Sequence, residues 1–280
     1  MSKKNRAPLA ELRDWSMPWV EFNVHKLIRH QVRLAADGVE SSVITGPKGT
    51  GKTSSVRRAL RQFAKEEAGR CDRGGTATPI RRSKYYIAGT ADGRKTALRD
   101  LLAELGRHVS PGQGRHWSVR DYLEAAVADL KGPAGNRNIR VVCIDEADRI
   151  NAANLDDLRK ILDVAERDGY PLGMILIGND TVATSLARNA ELGQRFSAAI
   201  NVRRFDRDEV RPLLAGLHPG LGILSHQAGW EDLVEEILDA AQGSMRRLER
   251  ILENATVFAL SKDGPFDEAA IEFALKKLAQ

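Results

Sequence analysis

The run Gly46-Pro47-Lys48-Gly49-Thr50-Gly51-Lys52-Thr53 constrains this chain more than any other part of its 280 residues. It lies between the short β-branched run Ser42–Thr45 and a helical pattern from Lys52 to about Glu67. Glycines let the backbone turn its N–H groups inward around a polyphosphate, and the following helix adds its positive N-terminus. Lys52 would then reach the β- and γ-phosphates, and the Thr53 hydroxyl would hold Mg²⁺. A chance match to G-x-x-x-x-G-K-[ST] in a chain of this length is on the order of 1%. Gly46, Pro47, Lys48, Gly49, Thr50, Gly51, Lys52, Thr53 and the adjoining Ser54 form the candidate nucleotide-binding set.

A strand followed by a helix is also the first unit of a longer alternation. Ser83–Ala88, Arg140–Ile144, Met174–Ile177 and Ala198–Val202 read as further strands. Helical patterns over 19–36, 94–108, 118–130 and 155–165 alternate with them, Gly38 and Gly169 serving as stops. The stretches 69–79 and 110–116 read as loops. Parallel strands need such crossovers, so the expected fold class is α/β, a doubly wound parallel sheet. After Phe205 the alternation ends, and residues 208–217, 230–241, 244–261 and 267–278 all read as helices. The expected division is a basic N-terminal tail over 1–18, a core over 19–206 and a small helical domain over 207–280.

Composition excludes other classes. Hydrophobic residues at 42% and charged residues at 29% suit a packed globular protein. Two cysteines are too few for a disulfide framework and point to a reducing cytoplasmic setting. No apolar run approaches the ~18 residues of a membrane span, so no membrane partner is expected. The net charge of +5 is uneven: residues 54–120 hold 15 Lys/Arg against 6 Asp/Glu. A basic block of this kind favours a nucleic-acid partner, with a solvated helix face as the plain alternative.

Two other strand ends carry polar groups. Arg140–Ile144 runs into Asp145-Glu146-Ala147-Asp148. The carboxyl end of a parallel strand opens onto the ligand crevice, where Asp145 can complete a Mg²⁺ shell and Glu146 can polarise an attacking water. Ile177-Gly178-Asn179 ends the next strand, and Asn179 is a candidate for the γ-phosphate or that water. The six histidines show no metal-ligand spacing.

Phosphate loop, Asp-Glu strand, Asn-tipped strand, Arg195 and the helical C-terminal part with Gly243-Ser244-Met245-Arg246 together resemble the AAA+ ATPases. The resemblance implies a P-loop (AAA+) core with an all-helical lid, ATP and Mg²⁺ as cofactors, and hydrolysis completed between protomers. It further implies that Arg195 is the arginine finger reaching a neighbour's γ-phosphate, with Arg188, Arg203 and Arg204 as rivals. Arg246 is then the lid sensor, with Arg247 and Arg250 as rivals.

Within that family, Ile144-Asp145-Glu146-Ala147-Asp148-Arg149 and Gly243-x-x-Arg246-x-Leu248 look like the TnsC/TniB/MuB group of transposition regulators. That resemblance implies an ATP-dependent, sequence-nonspecific binder of double-stranded DNA. It would assemble as a ring or filament and recruit a transposase, with a separate target-selector protein as a further partner. The alternative is a helicase loader or replication initiator; initiators of the family carry a winged-helix domain after the lid, for which no segment is expected here. A second alternative is an assembly or signalling ATPase without DNA. Arg94, Lys95, Ser118 and Arg120, at the starts of two predicted helices in the basic block, are the candidate DNA contacts.

Overall fold

The computed structural model describes residues 12–74, 81–88, 94–104, 117–132, 138–188 and 190–278, which group into two compact units. The first unit covers Phe22–Gly46 and Lys52–Val202. Its strands are β1 (Ser42–Thr45), β2 (Arg82–Ile87), β3 (Ile139–Asp145), β4 (Gly173–Ile177) and β5 (Ala198–Asn201). They form a five-stranded sheet in the order β2-β3-β4-β1-β5, with every neighbouring pair parallel. The intervening helices are α1 (Asn23–Ala36), α2 (Lys52–Gly74), α3 (Arg94–Glu104), α4 (Val119–Lys131), α5 (Ala152–Arg167), α6 (Asp180–Ala187) and α7 (Ala190–Arg195).

The sheet is covered on both faces, and the period of two along each strand divides its side chains between them. Val43, Val142, Ile144, Met174 and Leu176 enter one apolar cluster with residues of α3, α4 and α5. Ile44, Val141, Cys143, Ile175 and Ile177 enter the other with residues of α1 and α2. Both clusters consist of nearly dry side chains, which accounts for strands that are continuously apolar instead of alternating.

Several boundaries differ from the sequence expectation for identifiable reasons. The first helix begins at Asn23 and not Trp19, because Phe22 is extended and its N–H donates to His25 Nδ1 at 2.9 Å. Helix α2 continues past Gly69 to Gly74. There the buried Glu67 carboxylate receives Arg81 at 2.6 Å and Arg70 at 3.0 Å, and the Arg81 guanidinium holds it below the usual carboxylate range. Helices α6 and α7 are too short to give a periodic signal. The expected helix over 94–108 is described to Glu104; the expected loop 110–116 lies outside the described residues.

The second unit comprises Arg203–Gln280 with Pro47–Gly51 and residues up to Glu21. Its longer helices are α8 (Pro219–Leu224), α9 (Trp230–Ala241), α10 (Met245–Ser261) and α11 (Glu268–Leu278). The expected helix over 208–217 is broken into Arg207–Val210, a tight turn at Arg211–Leu213 and Leu214–Leu217. Pro212 causes the break: it has no N–H to donate and its ring crowds the preceding turn. Helix α8, with Gly220 and Gly222, gave no sequence signal.

His218 organises this unit. Its Nδ1 accepts from Gly220 N at 3.0 Å and its Nε2 lies 3.0 Å from Thr256 Oγ1. Phe266 stacks on the ring at 4.1 Å and Trp15 meets it edge-on at 4.6 Å. The Trp15 indole donates to Leu217 O at 3.0 Å, and Leu12 is buried, so this part of the N-terminal segment packs within the helical unit. Burial lowers the His218 pKa from 6.5 to about 4. The unfolded chain therefore takes up this proton first as pH falls, and stability, complete above the unfolded value of 6.5, declines toward about 4. The thermal midpoint of the wild type is expected to fall more steeply between these pH values than that of His218→Gln; parallel curves would show that His218 carries no such linkage.

Candidate functional site

The central strands end at one edge of the sheet, and the candidate groups gather there. At the end of β1, Gly46 has φ +140°, and a Cβ at this position would sit 2.1 Å from Val202 O. Only glycine fits the exit from β1. Lys52, at the start of α2, donates from Nζ to Gly46 O at 2.6 Å, which brings its ammonium to the inside of the turn. Thr53 Oγ1 donates to Asp145 Oδ2 at 2.6 Å, joining the N-terminus of α2 to the tip of β3. Asp145 is buried, and its Oδ1 accepts from Glu146 N at 2.8 Å.

Two groups here had no sequence signal. The Tyr85 hydroxyl of β2 also donates to Asp145 Oδ2, and Arg57 of α2 lies over the Tyr85 ring with Cζ 4.6 Å from its centroid. Burial, then the hydrogen bond to Asp145, pushes the Tyr85 phenol up, so it remains a donor at neutral pH. A reading of β2 alone could not identify Tyr85; its importance follows from the strand order that sets β2 beside β3.

Glu146 occupies the left-handed region at φ 56°, ψ 35°, uncommon for a residue with a Cβ and a conformation found at functional turns. Its carboxylate pairs with Arg149 at 2.6 Å. Asn179 begins α6: its Oδ1 accepts from Thr181 N at 2.8 Å and Thr181 Oγ1 at 2.6 Å, and its N–H donates to Asp148 Oδ1 at 3.2 Å. The side-chain oxygen thus serves as a helix cap, which leaves the amide nitrogen as the group with chemistry to offer.

Arg195 lies apart from these groups, at the end of α7. It pairs with Asp163 at 2.9 Å and Glu166 at 2.5 Å of α5, and these partners raise its pKa. With Arg159, Glu191 and Gln194 it lines a cleft of about 410 Å³. The basic-block residues occupy a further position. Helix α3 starts at Arg94, and Lys95 is exposed. Ser118 caps α4 and donates to Asp121 Oδ2 at 2.7 Å, while Arg120 pairs with Glu124 at 2.9 Å on the exposed surface. Asp121 is held below the usual carboxylate range first by Ser118 and in part by the charge of Lys95, and helices α3 and α4 pack against each other.

Within the helical unit, residues Pro47–Gly51 pack against the start of α10. Gly49, at φ +83°, would place a Cβ 2.5 Å from Ser244 Oγ and 3.6 Å from Arg246 Cβ. Arg246 N donates to Gly49 O at 3.4 Å, and Thr50 Oγ1 donates to Pro47 O at 3.0 Å. Arg247 instead turns its guanidinium to Gln242. Lys48 and Ser54 are exposed.

These groups fit a nucleotide with a divalent ion. Thr53 and Asp145 offer hard oxygen donors, and among the described residues no cluster of three His, Cys, Asp or Glu forms a complete metal cage. An ion held this way takes its remaining ligands from phosphate oxygens and water, the usual arrangement for Mg²⁺. No described helix is long and apolar enough to cross a membrane. Gly46→Ala should cost on the order of 1–3 kcal/mol through forced backbone strain, read as a lower denaturation midpoint; an unchanged midpoint would mean that the turn is not as tight as Val202 O implies.

A family model described as the AAA domain matches residues 37–186. No curated protein matches the chain. Among solved structures, the Aeropyrum pernix ORC2 protein in its ADPNP–ADP complexes aligns with a TM-score of 0.65 and 19% identity, covering 95% of this chain and 70% of that one. The Aeropyrum pernix ORC1 protein in complex with DNA aligns at 0.64 with 19% identity, over 96% and 69%. Domain III of the Thermotoga maritima replication initiation protein DnaA aligns at 0.60 with 12% identity, over 98% of both chains. At such identities the likeness is one of fold.

Proposed function

Because the chain belongs to the AAA domain family, we propose that it binds ATP with Mg²⁺ at the Gly46–Thr53 turn and hydrolyses it as part of an assembly cycle on double-stranded DNA. The observation that carries the reading is the 2.6 Å bond between Thr53 Oγ1 and Asp145 Oδ2, at the N-terminus of the helix that follows the glycine-rich turn. Backbone N–H groups of Lys48–Gly51 and the Lys52 ammonium would bind phosphate, while Thr53 and Asp145 would hold the ion. When bound, Mg²⁺ neutralises phosphate charge and orients the terminal group. Glu146 would accept a proton from the attacking water once it leaves Arg149, and Asn179 would orient that water from the neighbouring strand tip. Arg246 would report the nucleotide from the helical unit; its backbone bond to Gly49 supports it over Arg247 and Arg250. Arg195 would serve a neighbouring protomer, exchanging Asp163 and Glu166 for phosphate. We keep the division into a core over 19–206 and a lid over 207–280 as part of this proposal.

The initiator or helicase-loader reading ranks ahead of the transposition reading. ORC1, ORC2 and the replication initiation protein DnaA are among the solved structures aligned over more than nine-tenths of the chain, and ORC1 is seen with DNA. The motifs that suggested a transposition regulator are shared by initiators, so they do not separate the two. DNA contact by Lys95, Ser118 and Arg120 is supported by the packing of α3 on α4 and by the basic block, and Arg94 belongs to the same turn of α3. Surface pairs such as Arg120–Glu124 are weak enough to exchange for phosphate oxygens.

Lys52→Ala is expected to lose ATP binding, and Glu146→Gln to bind ATP but hydrolyse it at least about 100-fold more slowly. Calorimetry and phosphate release measure these; normal turnover in Glu146→Gln would remove Glu146 from its role. Lys95→Glu with Arg120→Glu should weaken duplex DNA binding and flatten its salt dependence while sparing ATP affinity. Unchanged anisotropy curves would exclude that surface.

A further inference from the structure

The Asp145 carboxylate is held on more sides than the phosphate-loop pattern requires. Its Oδ1 accepts from Glu146 N at 2.8 Å, and its Oδ2 accepts from Thr53 Oγ1 at 2.6 Å. The Tyr85 hydroxyl then donates to the same Oδ2, so both lone pairs of that oxygen are engaged. Tyr85 pairs with Cys143 across β2 and β3, which puts its side chain on the face shared by Asp145 two residues further along. Arg57 stands four residues after Thr53 on α2, one turn along the same helix face, with its guanidinium carbon 4.6 Å from the centre of the Tyr85 ring. One helix therefore supplies both the hydroxyl beside the phenol and the cation over its ring. A cation over the ring draws density from the phenol and favours its O–H as a donor.

We propose that Tyr85 is a positioning residue: its hydroxyl fixes the orientation of Asp145 for the divalent ion that accompanies the nucleotide, and Arg57 holds the ring in place. The inference rests on the Mg²⁺·ATP reading above and deepens it. With Oδ2 saturated, the acceptor that Asp145 keeps for the ion or its bound water is the second lone pair of Oδ1, and the three donors fix its direction. With the phenol gone, one Oδ2 lone pair is released and the carboxylate gains freedom that ion binding must remove. Partners behind a metal ligand typically affect metal affinity by about 10–100-fold.

The test uses the full chain and a fluorescent ATP analogue, titrated with Mg²⁺ at fixed nucleotide. Tyr85→Phe, which keeps shape and removes only the hydroxyl, is expected to bind the analogue without Mg²⁺ as the wild type does. It should need about 10-fold more Mg²⁺ for half of the Mg²⁺-dependent gain in affinity. Arg57→Gln should shift the Mg²⁺ midpoint in the same direction by less. A purely structural role would lower the thermal midpoint and the Mg²⁺-free affinity together and leave the Mg²⁺ midpoint in place. Identical Mg²⁺ midpoints in the wild type and Tyr85→Phe would overturn the proposal while leaving the nucleotide site intact. Unaltered nucleotide affinity in Lys52→Ala would instead overturn the site reading, and the proposal with it.

Discussion

The hydrogen bond from Thr53 to Asp145 spans 92 residues of sequence, and it exists only because two strands that do not touch end at the same level. Strand β4 lies between them and sets that level. Ile175 pairs with Ser42 of β1 on one side and with Cys143 of β3 on the other. A slip of one residue in either pairing would turn every buried side chain of that strand to the wrong face and move Asp145 away from α2. The register is secured by the apolar residues on both faces of the sheet, so the polar site depends on the packing of Ile44, Ile144, Ile175 and their neighbours. Core substitutions there should reach nucleotide chemistry without touching a polar atom.

The backbone departs from regular structure at the ends of β1 and β3. Gly46 leaves β1 in a conformation that a side chain would obstruct, and Glu146 leaves β3 in the left-handed region although it has a side chain. One strained exit uses glycine and the other uses glutamate. The difference fits their proposed tasks, in which the first lets backbone N–H groups approach an anion and the second carries a carboxylate at that point. Arg149, three residues on, satisfies the carboxylate within the protomer, as Asp163 and Glu166 satisfy Arg195. In both cases the charged group proposed for chemistry is held in a partly exposed ion pair that is weak and exchangeable.

Much of this was legible in the sequence, for physical reasons that also mark its limits. Strands buried on both faces leave apolar runs bounded by glycine and charge, which is why β1, β3 and β4 were recognisable to within a residue. The parallel sheet and helical C-terminal part followed from the alternation of periods. Glycine spacing singled out the Gly46–Thr53 turn as a candidate because few sequences satisfy the pattern. Contacts across strand order were not legible: Tyr85 sits in an edge strand of half-buried residues, and nothing local ties it to Asp145. Short elements escaped for want of a period, as with α6 to α8, and Pro212 divided a segment whose apolar pattern alone suggested one helix. The basic block was visible as composition, but the pairing of Ser118 and Arg120 with their own acidic neighbours was not. Family membership was legible from motif order; the choice between initiator-like and transposition-like branches was not, because the motifs are common to both.

The most direct test is a crystal structure of the protein with a non-hydrolysable ATP analogue and Mn²⁺ in place of Mg²⁺, with the metal located by anomalous scattering. Triphosphate density is expected inside the Gly46–Thr53 turn, with a metal peak in bonding contact with Thr53 Oγ1 on the side facing Asp145. Nucleotide bound elsewhere, or a metal peak remote from both Thr53 and Asp145, would contradict the proposed site.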